Sequence, residues 1–392
     1  MKKVFEIAAM LLALAACNKI DTEIQTIDKA EGITITAQLA PKGSGATARA
    51  VSEDAVNNKI VSDWAENEHI AILYTKDETK YAADATITAV DGGGTATITF
   101  TVEAGTPNNT ACTLVYPLSA AKDDHSGVKD AATLLAAQDG TLNANLDVRV
   151  GEGTIQTTTP GLTVTTQPEA QFAIFKFTVK NSDASATIDV KPLTVTIGAQ
   201  DYVITPASAT SELFAALPPI AGQTVSFTAT DGGKTYTCSK DGISFDKGKY
   251  YQSTLKMALD KVTWDSSNAS GLNVLSGSSQ TIDGITIKCN TGDGAVMCQY
   301  KNGAINFDIY YDVNTNGFTF TNTLGKNFTK IEITSQSGSE GEWESPPSGS
   351  LGSGWSYSSG KATWTGDAAS VDLLKYSRDF TAYASSIVFT LR

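Results

Sequence analysis

Arginine is scarce in this chain of 392 residues: only Arg49, Arg149, Arg378 and Arg392 occur, against a much larger number of lysines. Histidine is scarcer still, with His69 and His125 alone, so little is present to complete a zinc site with the five cysteines. Positive charge is outweighed throughout. The formal net charge of −13 is spread along the chain, which argues against binding a phosphate backbone and makes nucleic acid an unsuitable partner. Helical periodicity is almost missing, and there is no Gly-rich phosphate loop and no nucleophile elbow. The run "KDDHSG", 122 to 127, sets Asp, His and Ser side by side, but adjacency in a loop is not triad geometry and a solvated turn is the plainer reading. Carboxylate pairs such as Glu66 with Glu68 and Glu340 with Glu342 could in principle act on a glycoside. In so acidic a chain they read as surface charge. The expectation is a protein that is not an enzyme and uses no cofactor or metal.

What is present begins with "MKKVFEIAAMLLALAACNKIDTE", two lysines followed by an apolar run too short to span a bilayer and then small residues before Cys17. This reads as a signal peptide, residues 1–17, despite Glu6 near its start. The end, Leu14-Ala15-Ala16-Cys17, resembles the lipobox of bacterial lipoproteins, which implies acylation of Cys17 and a stable membrane tether through its acyl chains, palmitate among them. Export also permits disulfides. Of the remaining cysteines, Cys112, Cys238, Cys289 and Cys298, the last two lie in neighbouring strand-like runs that could form a hairpin, and are the candidates for a bridge.

Alternation of period two recurs from end to end: Ile33-Ile35-Ala37-Leu39, Ala96-Ile98-Phe100-Val102, Ala173-Phe175-Phe177-Val179, Val225-Phe227-Ala229, Ile305-Phe307-Ile309-Tyr311 and Ile387-Phe389-Leu391. Threonine and β-branched residues suit such half-buried strands, and "DGGG", "DGG", "NTNG" and "GDG" supply turns. With 41% hydrophobic residues the chain can bury a core in each of two or three domains, and the fold class is all-β, a series of sandwiches. Only "DAATLLAAQDG", 130 to 140, reads as a short helix or irregular loop. The polar, Gly/Thr-rich stretch 147 to 165 and the composition change near residue 258 mark two boundaries. They divide the chain into units at 30–147, 150–258 and 262–392.

Several stretches, in this order, resemble the fimbrillin family, the pilus subunits and related surface lipoproteins of Bacteroidales. They are the lipobox, a strand followed by Arg49-Ala50, "VSDWAENEHIAILY" at 61 to 74, "YAA" at 81 to 83, "CTLVYP" at 112 to 117, "FAIFKFTV" at 172 to 179 and "GKYYQSTLKM" at 248 to 257. The likeness covers about residues 14 to 257. One departure stands after the tryptophan, where family members often have Gly-Asp and this chain has Asn67-Glu68. The resemblance implies two tandem transthyretin-like β-sandwiches. It also implies assembly by donor-strand exchange: a lipidated precursor is cut after Arg49 so that the mature chain starts at Ala50, which makes 18–49 a pro-segment and 50–147 the first sandwich of the mature chain. The first strand, "GITITAQL" at 32 to 39, then leaves, and a strand from another fimbrillin subunit fills the groove. The implied locations are the outer-membrane surface and, after processing, the fimbrium.

Residues 262–392 resemble a jelly-roll-like β-sandwich appended to Bacteroidales surface proteins, on "GFTFTNTLGKNFTKIEITS" and "GKATWTGDAASVDL". A subunit so extended suits a terminal, tip position better than a stalk. Within this region Trp343, Trp355 and Tyr357 lie in or beside a Gly/Ser-rich stretch. Aromatic faces in loops stack on the apolar C–H faces of sugars, which makes these three the candidate glycan contacts, whereas Trp364 reads as core. The alternative function is therefore an uncleaved surface lipoprotein whose last domain binds glycan or a host protein.

Overall fold

The computed structural model describes residues 32–42, 52–54, 56, 59–291, 295–310, 315–336, 351–376 and 380–392. Cys17, Arg49, Ala50 and Trp343 lie outside the described residues.

The first sheet contains β1 (Ile33–Leu39), β4 (His69–Lys76), β5 (Thr79–Val90), β6 (Ala96–Val102), β7 (Thr110–Tyr116), β8 (Arg149–Gln156) and β9 (Gly161–Ala170), after a separate hairpin of β2 (Ser52–Asp54) and β3 (Lys59–Val61). Its spatial order is β1-β6-β5-β4-β7-β8-β9. Alternation drives it: in β6 every second side chain, from Ala96 to Val102, is buried and the threonines between face outward. The core on one face gathers Ile35, Leu39, Trp64, Ile72, Phe100, Leu114, Tyr116 and Ile155. Ala71, Leu73 and Val115 point to the other face and join the second core, so β4 is buried on both sides from Ile70 to Tyr74.

The boundary expected within 147 to 165 is displaced. β8 pairs with β7 from Tyr116↔Arg149 to Thr110↔Ile155, and β9 pairs with β8, so residues 149–170 complete the first sheet rather than open the second sandwich. The glycines that made this stretch look like a linker serve close approach instead. A Cβ on Gly151 would lie 2.6 Å from the carbonyl oxygen of Thr166. The short helix α1 (Ala131–Leu134) does form, capped by Asp130, whose carboxylate accepts from the Thr133 amide at 2.8 Å.

The second sandwich packs β12 (Gln200–Ile204), β11 (Leu193–Ile197), β14 (Ile220–Asp231) and β15 (Lys234–Phe245) over β13 (Glu212–Leu217), β10 (Ala173–Asn181) and β16 (Tyr250–Trp264). β16 changes layers along its length. Residues Tyr250 to Met257 run parallel to β10, residues Ala258 to Val262 pair with β15, and the end pairs with the final strand of the chain.

The third sandwich comprises β17 (Asn273–Val274), β18 (Ser279–Ile282), β19 (Ile285–Cys289), β20 (Ala295–Lys301), β21 (Ala304–Tyr310), β22 (Thr315–Asn322), β23 (Phe328–Ser335), β24 (Trp355–Ser358), β25 (Lys361–Ala368), β26 (Ser370–Tyr376) and β27 (Phe380–Leu391). The sheet β18-β19-β22-β26 faces the layer β17-β20-β21-β27-β23-β25-β24. Phe307, Phe318, Phe320, Phe328 and Phe389 fill the space between, with Val262 and Trp264 of β16. The last strand of the second sandwich thus also supplies core to the third. The fold is all-β, as its alternation predicts.

Candidate functional site: the first strand and the buried Lys42

β1 stands at one end of its sheet. It is laddered to β6 from Ile33↔Val102 to Leu39↔Ala96, and among the described residues it has no ladder on its other edge. Ile35 and Leu39 are fully buried and Ile33 and Ala37 half-buried, while Thr34 and Thr36 meet Thr101 and Thr99 across the ladder at 3.3 and 3.5 Å. On the open edge the neighbour is β9, and contact is made by a side chain: Gln167 Oε1 accepts from the Ala40 amide at 3.3 Å.

Immediately after β1 the chain turns inward. The Lys42 side chain has no solvent exposure, although the residue lies in a polar stretch. Its ammonium sits 3.5 Å from the Tyr116 ring centroid and 4.2 Å from that of Trp64, two rings that themselves meet edge to face at 5.4 Å. Glu68 Oε2 lies 3.4 Å from Nζ and Asp147 Oδ2 3.9 Å away. Both carboxylates are further committed. Glu68 accepts from the Tyr116 hydroxyl at 2.6 Å and from the Ala65 amide at 3.0 Å. Asp147 accepts from the Ser62 hydroxyl and from Arg149 Nε at 2.9 Å. The backbone of the same segment is held as well, because Trp64 Nε1 donates to the Ala40 carbonyl at 2.9 Å and Arg149 Nη1 to the Lys42 carbonyl at 3.1 Å.

Burial pulls the Lys42 ammonium down to about 8 from its ordinary 10.5, an effect that Asp147 and Glu68 oppose. Burial likewise pushes the Tyr116 phenol well above its ordinary 10.0, reinforced by Glu68. The four charges Lys42, Arg149, Glu68 and Asp147 sum to zero in a site walled by two aromatic rings. The local turn explains the departure in sequence: Asn67 takes a left-handed conformation, φ 66°, that asparagine tolerates, and Glu68 is thereby turned in toward Lys42.

Downstream of the stretch that holds Arg49, the β2–β3 hairpin is fixed to the second sandwich. Glu53 lies 3.1 Å from Lys176 Nζ and accepts from the Tyr250 hydroxyl at 2.8 Å and from Gln252 at 3.3 Å. Arg49 therefore falls between two anchored elements.

The other candidates sit elsewhere in the fold. Cys289 and Cys298 are not partners in a hairpin: β19 pairs with β18 and β22, while β20 pairs with β17 and β21, in the facing layer. Both are buried free thiols in the third core, and burial pushes Cys289 up to about 12. Trp355 and Tyr357 lie on β24, the edge strand, and are half-buried rather than held out in a loop. Trp355 Nε1 donates to the Asp372 carbonyl at 2.8 Å, and the Tyr357 hydroxyl meets Ser335 Oγ at 3.4 Å. Trp364 is core, as its strand pattern predicts, with the ring clasped so closely that a Cβ on Gly366 would lie 2.5 Å from it. His125 occupies a tight turn, φ 58°, in which Ser126 donates its amide to Asp124. Lys42, Asp147 and Arg149 carry no local signal in the sequence; the one legible sign of the site is Asn67-Glu68.

No family model and no curated protein matches this chain. Among solved structures it is similar to a fimbrial protein from Bacteroides ovatus, with TM-score 0.27 and 11% identity over 57% of this chain, spanning only 48% of that protein's length. A fimbrial assembly protein from Parabacteroides distasonis gives TM-score 0.32 and 12% identity over 70% of this chain and 98% of its own. A streptococcal ancillary pilin gives TM-score 0.23 and 9% identity over 92% of this chain and 90% of its own.

Proposed function

We propose that the chain is a fimbrillin-like pilus subunit: a lipoprotein routed to the outer membrane through Cys17, cut after Arg49, and joined to a neighbouring subunit whose strand takes the place of β1. In this reading it contributes to cell adhesion from a terminal position. The observation that carries the reading is the one-sided attachment of β1, a strand laddered among the described residues to β6 alone and followed in the sequence by the stretch containing the only arginine before Arg149. A strand held by a single ladder can leave without unthreading the sheet. Its vacancy is unfavourable, since burial of Ile35 and Leu39 alone stabilises by about 3–6 kcal/mol at most, and the β6 edge would lose its backbone partners. A strand added by a partner restores both.

A terminal position agrees with the way β27 is held. β27 is laddered to β21 and β16 along one side and to β23 along the other, so it cannot be given to a neighbour without dismantling the third sandwich. The test is intact mass and N-terminal sequencing of the protein recovered from its own cell envelope. A chain starting at Ala50 is the expected result. A chain that retains acylated Cys17 and β1 in every recovered form overturns the reading and leaves a resident surface lipoprotein.

A further inference from the structure

We infer that the enclosure around Lys42 is a cation subsite of the strand groove: a segment that fills the groove in place of β1 carries a lysine or arginine three residues beyond its last inward apolar side chain. The inference rests on the strand-replacement reading above and adds the chemistry by which the partner segment is selected.

The apolar positions of β1 select weakly. Any alternating strand can bury side chains where Ile33, Ile35, Ala37 and Leu39 lie, and a shift of two residues keeps the same side chains facing inward. A fixed charge removes that freedom, because a two-residue slip carries it about 7 Å along the strand, out of reach of both carboxylates. Lys42 is three residues past Leu39, the last inward apolar residue of β1, and it is held at once by Glu68, Asp147 and the faces of Tyr116 and Trp64.

All of these groups belong to residues beyond Arg49 and stay behind if the chain is cut there, whereas Lys42 departs. Arg149 compensates Asp147 directly at 2.9 Å, but the site as a whole passes from zero to one net negative charge. Glu68, only 14% exposed, would keep the Tyr116 hydroxyl and the Ala65 amide and lose its cation. An incoming ammonium restores the balance, and a guanidinium also fits, because its plane stacks on aromatic faces and bonds carboxylates. An acidic side chain at that position would be a third carboxylate in the enclosure and is rejected. Burying the incoming cation is itself costly, which is why two carboxylates and two rings surround it.

The experiment uses the full chain cut at Arg49 with an arginine-specific protease, the cut verified by mass. Amidated peptides of residues 31–44, EGITITAQLAPKGS, are added in excess, and release of the resident N-terminal fragment is followed. The native peptide and its Lys42→Arg form are expected to displace the fragment. The Lys42→Gln form is expected to be about tenfold weaker and Lys42→Glu about a hundredfold or more. A Lys42→Gln peptide equal to the native one overturns the subsite while leaving strand replacement intact.

Failure of every peptide, the native one included, instead overturns strand replacement. The subsite is then judged on the uncut chain by hydrogen exchange of the amides of residues 33–39, with the third sandwich as internal control. In that measurement Lys42→Gln exchanging about tenfold faster, with Lys42→Arg restoring protection, supports it. Unchanged protection in Lys42→Gln overturns it.

Discussion

The Lys42 ammonium rests 3.5 Å from the centroid of the Tyr116 ring, and the hydroxyl of that ring is donated to Glu68, which also faces the ammonium. One tyrosine therefore offers its apolar face to the cation and its polar tip to the counter-ion. The first strand ends in a charge held from several sides, not in a loose loop.

Asp147 is the first test of that arrangement. It is buried, accepts from Ser62 and Arg149, and helps to hold the Lys42 proton in place. Asp147→Asn leaves the buried Lys42 and the half-buried Arg149 with Glu68 as the remaining carboxylate of the enclosure. The variant is expected to lose about 3–5 kcal/mol of stability in urea unfolding, and an unchanged midpoint would refute the role given to this carboxylate.

The pH dependence has a definite sign. Lys42 titrates near 8 in the folded chain and at 10.5 when unfolded, so between these values the unfolded chain holds a proton that the folded chain has shed. Lys42 therefore contributes a rise in stability with pH across that window, by up to about 3 kcal/mol, which the raised thiols of Cys112, Cys289 and Cys298 oppose from their ordinary 9.0 upward. Tyr116 acts oppositely: its raised pKa means that the unfolded chain loses the phenolic proton first, so stability falls as pH climbs beyond 10.0. Urea midpoints across pH 7 to 11 should rise and then fall, and the rising limb should vanish in Lys42→Met.

The buried thiols make a chemical prediction. Cys112 and Cys289 are pushed up to about 12 and Cys298 well above its ordinary value, all by burial, so none presents a thiolate at neutral pH. Native protein should resist iodoacetamide at these positions, and unfolding without reductant should expose all three. Failure of Cys289 and Cys298 to label after unfolding would mean that they are bridged.

Leu39 reports on the strand. Leu39→Ala removes a fully buried side chain at the end of β1 and is expected to cost about 2–4 kcal/mol, with faster hydrogen exchange confined to residues 33–39. Exchange that accelerates evenly over the whole first sheet would show that β1 does not open by itself.

Trp355 separates packing from recognition. Its indole donates to Asp372 and packs on the third core, so Trp355→Ala is expected to cost about 1–3 kcal/mol. Loss of glycan binding without loss of stability would instead assign it to ligand contact.

The all-β class, the positions of the strands and the inward faces of Ile35, Phe100, Phe177 and Phe389 were legible because alternation is local, a property of neighbours two residues apart. Pairing was not. Cys289 and Cys298 lie close in sequence in adjacent strands, yet those strands belong to facing layers. The stretch 147 to 165 read as a boundary because Gly and Thr are abundant there, although Gly151 serves a backbone contact 2.6 Å away from a would-be Cβ.

The sequence by itself determined which residues could be buried along each strand, since that follows from period and polarity. Only the tertiary structure decided that Lys42, an ordinary lysine beside a proline, is enclosed by Trp64, Glu68, Tyr116 and Asp147. Those partners come from points up to 105 residues further along the chain, and a charge is brought inside only where such distant groups converge to replace its water.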